Sequence, residues 1–256
     1  SAPLPLSTCE GRLTLTTAVP VTIADVAAAT IVYFTPYKGN IISLYDGSAD
    51  WDPIEFSEIS IKITDAQTGT THNGTKVIDG LTDTSQLIVG MAVTGTGVGA
   101  SAVIVSIDSA TQITTDVNST ADGTVTITSK VPASIPLDIF CFNNSGTAKL
   151  EMVKWTNDTT RATALVLQNG VYVKTGATTR RYLGTIRTTT TAGQVEDSIS
   201  TRFVWNYYNR LSRKVFISEA TANWTYSSAT IRQANNSTAN QIMQIIGLVE
   251  DPILIV

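Results

Sequence analysis

With 256 residues, 43% hydrophobic and only 15% charged, the chain is long enough for one large β domain or two smaller ones, each with a core. Its net charge of −4 argues against nucleic acid as a partner, because phosphate binding draws on an excess of clustered Lys and Arg. No apolar run approaches the roughly 20 residues that a spanning helix requires, so membrane insertion is not expected.

About one residue in six is threonine, whose branched Cβ favours strands and disfavours helix, so the chain reads as all-β. The opening S-A-P-L-P-L-S-T lacks a basic segment and an apolar core, and no signal peptide is expected. Cys9 and Cys141 have no metal-binding spacing and read as reduced and structural; a disulfide between them is the alternative.

Residues 1–10 read as an extended arm, either disordered or laid across a neighbouring subunit. Regular structure begins at R-L-T-L-T, residues 12–16, a strict two-residue alternation. Residues 23–30 (I-A-D-V-A-A-A-T) have the composition for a turn or two of helix, and run into the strand I-V-Y-F at 31–34. A second strand, I-I-S-L-Y at 41–45, closes on the turn Asp46-Gly47. Trp51, Ile54 and Phe56 fall in an acidic loop. Then S-E-I-S-I-K-I at 57–63 directs Ile59, Ile61 and Ile63 inward and Glu58, Ser60 and Lys62 outward.

The composition then changes. Between 66 and 129 there is no Arg, Trp, Tyr or Phe, and the single Lys is Lys76. Four or five short Thr/Val strands with Gly or Asp-Gly turns make this a small β module, inserted into a host domain of residues 11–65 and 130–256. A small core without aromatic rings buries little area, so the module is expected to lean on the host or a neighbour. The host resumes with L-D-I-F-C-F at 137–142, the turn N-N-S-G and the strand K-L-E-M-V-K-W at 149–155. Residues 161–168 (R-A-T-A-L-V-L-Q) read as a short helix closed by Asn169-Gly170. Short strands follow at 171–174, 214–217 and 224–226, and residues 241–248 read as strand. The apolar end at 252–256 is expected to dock or to be buried in a subunit contact. Strands separated by turns every 8–12 residues or so describe a β-sandwich or jelly-roll-like host.

Catalytic chemistry is not legible, and neither a metal nor a cofactor is expected. His72 is a lone loop histidine with no Cys, Asp or Ser ligand spacing around it, and no G-x-S-x-G elbow accompanies it. Glu196 and Asp197 are adjacent on a strand and face opposite sides, poorly placed to flank one glycosidic bond. G-T-G-V-G at 95–99 lacks the Lys and the helix of a phosphate loop and reads as a β-turn. The Asp-rich loops at 46–52 and 79–83 do not have EF-hand spacing.

Residues 178–209 are the informative stretch. Two β-like runs flank a soft loop and carry Arg180, Arg181, Tyr182, Arg187, Arg202, Trp205, Tyr207 and Tyr208, with Trp224 and Tyr226 soon after. Strand alternation places Phe203, Trp205 and Tyr207 on one face and Val204, Asn206 and Tyr208 on the other. One face is core. The other is core as well, a subunit interface or a platform for sugar rings, since aromatics and Arg are enriched at interface hot spots. Arg180, Arg181, Tyr182, Trp205, Tyr207, Tyr208, Trp224 and Tyr226 are therefore the candidates for oligomer or glycan contact.

These residues lie within motifs that resemble, in order, a family of tailed-bacteriophage virion proteins. The series runs G-R-L-T-L-T at Gly11, Y-F-T-P-Y-K-G-N at Tyr33, L-Y-D-G at Leu44, F-S-E-I-S at Phe56 and F-N-N-S-G-T at Phe142. It continues with G-V-Y-V-K-T-G-A-T-T-R-R-Y-L-G-T at Gly170, E-D-S at Glu196, R-F-V-W-N-Y-Y-N-R at Arg202, W-T-Y at Trp224 and R-Q-A-N-N-S-T-A-N at Arg232. L-I-V-G-M-A-V-T-G-T-G-V, followed by I-D-S-A-T-Q-I-T, is similar to small β modules of phage structural proteins. The resemblance implies a non-enzymatic virion component without catalytic residues: a head fibre, decoration protein or tail-associated fibre, usually homotrimeric and attached to capsid or tail. Its implied role for the 178–209 stretch is to stabilise fold and oligomer ahead of binding a ligand. The alternative function is recognition of a host surface glycan, for which the insert or exposed loops are the expected place.

Overall fold

The computed structural model describes residues 8–248. The 252–256 end and the first seven residues of the arm lie outside them. Among the described residues the chain forms 21 short strands and two single-turn 3₁₀ segments. The first six strands are β1 (Gly11–Thr14), β2 (Val26–Ala29), β3 (Ile31–Pro36), β4 (Ile41–Tyr45), β5 (Trp51–Glu55) and β6 (Ile59–Lys62). The next six are β7 (Thr64–Thr71), β8 (Val77–Asp79), β9 (Ala92–Thr94), β10 (Ile104–Ser109), β11 (Gln112–Thr115) and β12 (Gly123–Lys130). Then come β13 (Pro136–Asn144), β14 (Thr147–Lys154), β15 (Leu165–Gln168), β16 (Val171–Lys174) and β17 (Ala177–Arg187). The last are β18 (Val195–Asp197), β19 (Thr201–Arg202), β20 (Val204–Asn206) and β21 (Met243–Gln244).

The architecture is all-β and sandwich-like. One layer is the sheet β14-β13-β17-β16-β15, with β20 also paired to β17. Against it pack the sheet β1-β3-β6 and the hairpin β4–β5, which touch β13, β14 and β17. Alternation along the strands sends Leu13, Phe34, Ile42, Leu44 and Ile61 from one side to meet Ile139, Cys141, Leu150 and Leu183 from the other. Phe34 stacks on Phe56 at 4.8 Å, and Gly11 is seated against the Phe34 ring where a Cβ would collide. The expected alternation of 57–63 holds in part: Ile61 and Ile63 are fully buried and Ser60 is exposed, while Ile59 is half-buried.

A six-stranded sheet, β10-β11-β8-β7-β12-β9, draws every strand from residues 64–130. Its first and last strands, β7 and β12, pair along their whole length, Lys130 opposite Thr64, so the segment enters and leaves at one point. Its core is continuous with that of the sandwich: Ile63, Ile78, Leu87 and Met91 share one cluster with Leu150 and Met152. Lys62 N donates to Gln86 Oε1 at 3.0 Å across the join.

Six local expectations are corrected. Residues 26–29 are not helical but form β2, antiparallel to β18. The Ala run is too short to offset helix nucleation, and a partner strand supplies hydrogen bonds instead. Residues 165–168 are also strand: Asn169 (φ 53°) and Gly170 (φ 82°) form the tight turn of a hairpin with β16, so Asn-Gly here closes two strands rather than a helix. Residues 51–55, expected as loop, pair with β4 as an edge strand, where Pro53 costs no ladder bond. Residues 214–217 and 224–226, expected as strands, have no regular structure, and 241–248 keep only the two-residue β21, parallel to β19.

Candidate functional site

β17 is the centre of the molecule. Its neighbours are β13, β16 and β20, and Arg181 through Ile186 are buried without interruption. A register shift between Ile139 and Phe140 puts an extra residue in β17 opposite β13, which turns successive side chains inward. Arg181 and Tyr182 consequently have no exposed surface. They hold the fold together and offer nothing to a glycan or a second chain. The Arg181 guanidinium spans the two layers, donating to Ser43 O at 2.6 Å, Thr8 O at 2.8 Å and Tyr208 Oη at 3.2 Å, and lies 4.5 Å over the Tyr208 ring. Burial pushes the Tyr208 hydroxyl up to about 12, against the opposing pull of Arg181.

Tyr182 Oη shares a 2.5 Å hydrogen bond with Thr185 Oγ1, which donates to Asp138 Oδ1 at 2.8 Å; Arg161 Nε donates to the other Asp138 oxygen at 2.8 Å. Burial raises the Asp138 carboxyl above the usual carboxylate range against the opposing charge of Arg161, and burial, reinforced by Asp138, raises the Tyr182 hydroxyl. A buried carboxylate satisfied by one arginine and one hydroxyl inside a sheet is a structural network. Arg180 is half-buried, ion-paired to Glu151 at 2.9 Å and 4.0 Å over Phe142, while Lys174 takes the other Glu151 oxygen. Burial alone would raise Glu151, but its bonds from Lys174 and Arg180 prevail and hold it below the usual range.

The expected alternation of 203–208 ends at Asn206. Phe203 is buried, whereas Tyr207 and Tyr208 meet edge-on at 4.8 Å and join Tyr182 and Trp205 in one partly buried aromatic cluster. The two asparagines of N-Y-Y-N carry a role that sequence reading missed. The Asn206 amide pairs with Leu13 N (2.6 Å) and Leu13 O (3.0 Å), and Asn209 donates to Cys9 O (2.7 Å) and Gly11 O (3.1 Å), fastening β1 to β20. Two asparagines three residues apart at a strand end were the available signal.

Trp224 and Tyr226 are elsewhere, 44% and 47% exposed, on a stretch from 207 to 242 without a strand. That stretch also exposes Leu211, Phe216 and Ile231, the last at 96%, and Arg232 lies 5.2 Å over Tyr226. Phe216 N reaches Ile199 O at 2.9 Å, and Arg202 donates to Lys214 O at 2.9 Å, tying the arm to the body.

His72 does have an acidic neighbour, Asp79 at 3.1 Å, which sequence separation hid; both side chains are more than two-fifths exposed. Among the described residues no three His, Cys, Asp or Glu side chains converge as metal ligands. The Asp46 carboxylate accepts from Ser48, Ala49 and Asp50 amides and the Ser48 hydroxyl, which defines a turn. Asp197 is buried and ion-paired to Arg202 and Arg213, whereas Glu196 accepts from Ser198. In comparisons with known proteins, no family model, no curated protein and no solved structure matches the chain.

Proposed function

We propose that the chain is a non-enzymatic structural subunit of a tailed-bacteriophage virion, a head fibre, decoration or tail-associated protein, that self-associates as a trimer and attaches to the particle. The order of motifs set out above motivates the class. The single observation that supports assembly is the arm between 207 and 242, which leaves Leu211, Phe216, Trp224, Tyr226 and Ile231 at 39% to 96% exposure. Fully burying an exposed side chain of this kind is worth about 1.5–3 kcal/mol, so covering Ile231 against a neighbouring copy gains nearly that much and covering each of the other four, already more than half buried, gains less than half of it. Sedimentation equilibrium at micromolar concentration tests it: three times the 27.3 kDa chain mass is expected, and a monomer at that concentration sinks the reading. A map of the intact particle then distinguishes head from tail. The exposed pair Trp224 and Tyr226 favours one second reading, host-glycan recognition, because sugar rings stack on such faces. A glycan array without signal removes it.

A further inference from the structure

Strand β15 ends the main sheet, bonded to β16 on one side and to no described strand on the other. Thr175 N donates to Ala164 O at 3.0 Å, and the register runs unbroken from there to Gln168 opposite Val171. Bonded and non-bonded positions alternate in an antiparallel pair. Val166 and Gln168 therefore bond to β16, while the N–H and C=O groups of Leu165 and Leu167 point to the open edge. Both faces at that edge are apolar: Val166, opposite the buried Val173, is 41% exposed, and Leu167, opposite Tyr172, is 55% exposed. Other end strands are blunted against pairing. β5 carries Asp52, Pro53 and Glu55, β14 carries Lys149, Glu151 and Lys154, and β10 is broken by two register shifts. β15, L-V-L-Q, has no charge, no proline and no bulge.

We propose that residues 253–256 of the same chain add to this edge as a further strand. Beside the start of β15 lies a depression of about 450 Å³ lined by Leu165, Tyr172 and Leu248, the last described residue. Arg161, on the same wall, donates to Gly247 O and so fixes where the chain leaves the body. Ile253 is the fifth residue after Leu248, a reach of about 17 Å, and a four-residue strand is about 13 Å long, so the edge lies within range. Ile253, Leu254, Ile255 and Val256 are apolar at every position, which suits a strand that covers Val166 on one face of the sheet and Leu167 on the other. Pro252 lacks an N–H and is tolerated at the start of a strand. The described segments with strand composition fit less well. Phe216 N is already bound to Ile199 O, and W-T-Y at 224–226 puts its polar residue on one face. The pairing lies within one chain and is independent of the assembly proposed above.

Amide hydrogen exchange in the full chain, read residue by residue, tests this. Leu165 and Leu167 are expected to exchange at least about a hundred-fold more slowly than unbonded amides, and equally so at two protein concentrations about ten-fold apart. Ile253→Asp together with Ile255→Asp should bring both amides back to within about three-fold of the unbonded rate, because charge on the added strand opposes its burial. Val166 and Gln168, bonded to β16, should stay protected in that variant, which separates loss of the added strand from unfolding. Nuclear Overhauser contacts from the Leu165 and Leu167 amides to residues 253–256 give a readout in the unmodified chain. Rapid exchange of Leu165 and Leu167 in the full chain, protection that survives the double variant, or absence of those contacts overturns the proposal. Protection that falls on dilution also overturns it, and assigns the edge to a second copy of the chain instead.

Discussion

Replacing Arg181 by alanine tests the assignment of this residue to the interior rather than to a binding surface. The side chain is 0% exposed and its guanidinium donates to Ser43 O, Thr8 O and Tyr208 Oη at 2.6, 2.8 and 3.2 Å. Arg181→Ala leaves two carbonyls and a phenol buried without this donor and opens a cavity between the layers. Each orphaned group costs about 1–3 kcal/mol, and the sum, after partial relaxation, is about 3–5 kcal/mol. With a urea m-value of about 3 kcal/mol/M, the unfolding midpoint should fall by about 1–1.7 M. Tyr208→Phe, which removes one acceptor and keeps the ring, should cost only about 1 kcal/mol. Tryptophan fluorescence follows the transition, since Trp51 lies 5.7 Å from the guanidinium. A midpoint shift for Arg181→Ala below about 0.3 M, equivalent to about 1 kcal/mol, would refute the interior role.

Gly184→Ala should destabilise by about 1–3 kcal/mol, because its Cβ would meet the Trp205 carbonyl across the β17–β20 pairing; hydrogen exchange should show β20 amides losing protection first, and a neutral variant contradicts the close approach. Both cysteines are buried, and burial pushes the Cys9 thiol up to about 11. At pH 8 the Cys9 thiolate fraction is on the order of one in a thousand, so Ellman's reagent should label neither cysteine in the native chain and both in denaturant; rapid native labelling would be inconsistent with this packing. The Asp46 carboxyl, held by the Ser48 hydroxyl and by the Ser48, Asp50 and Ala49 amides, sits at about 2, below its ordinary value. A depressed folded-state pKa stabilises the β4–β5 turn fully above about pH 4 and loses that contribution as pH falls toward 2. An NMR titration of Asp46 with a midpoint near 4 would show that the turn does not hold the anion.

Part of this was readable without coordinates. The threonine excess, the two-residue period at 57–63 and the Asp-Gly and Asn-Gly turns act within a few residues, so strand content and most hairpins are legible locally. The errors arose where a local signal had two meanings. V-A-A-A suits a helix by propensity, yet four residues cannot nucleate one beside β18. K-V-F-I at 214–217 has strand composition and finds no partner strand among the described residues. Even the composition break near 66 marks where a sheet changes, without showing that its core runs on into Leu150 and Met152.

Sequence by itself settled the fold class, the turns and the stretch of arginines and aromatic rings worth attention, because alternation and turn chemistry depend on neighbours in the chain. Tertiary structure alone decided which of those side chains are accessible. Arg180 and Arg181 are adjacent in sequence, but one caps Glu151 at the rim while the other crosses the interior to Ser43, 138 residues away in the chain. Arg12, Asp197, Arg202 and Arg213 share a cleft for the same reason: strands distant in sequence are paired in space. Burial and charge balance are sums over all neighbours of a group, and most of those neighbours are brought in by long-range pairing.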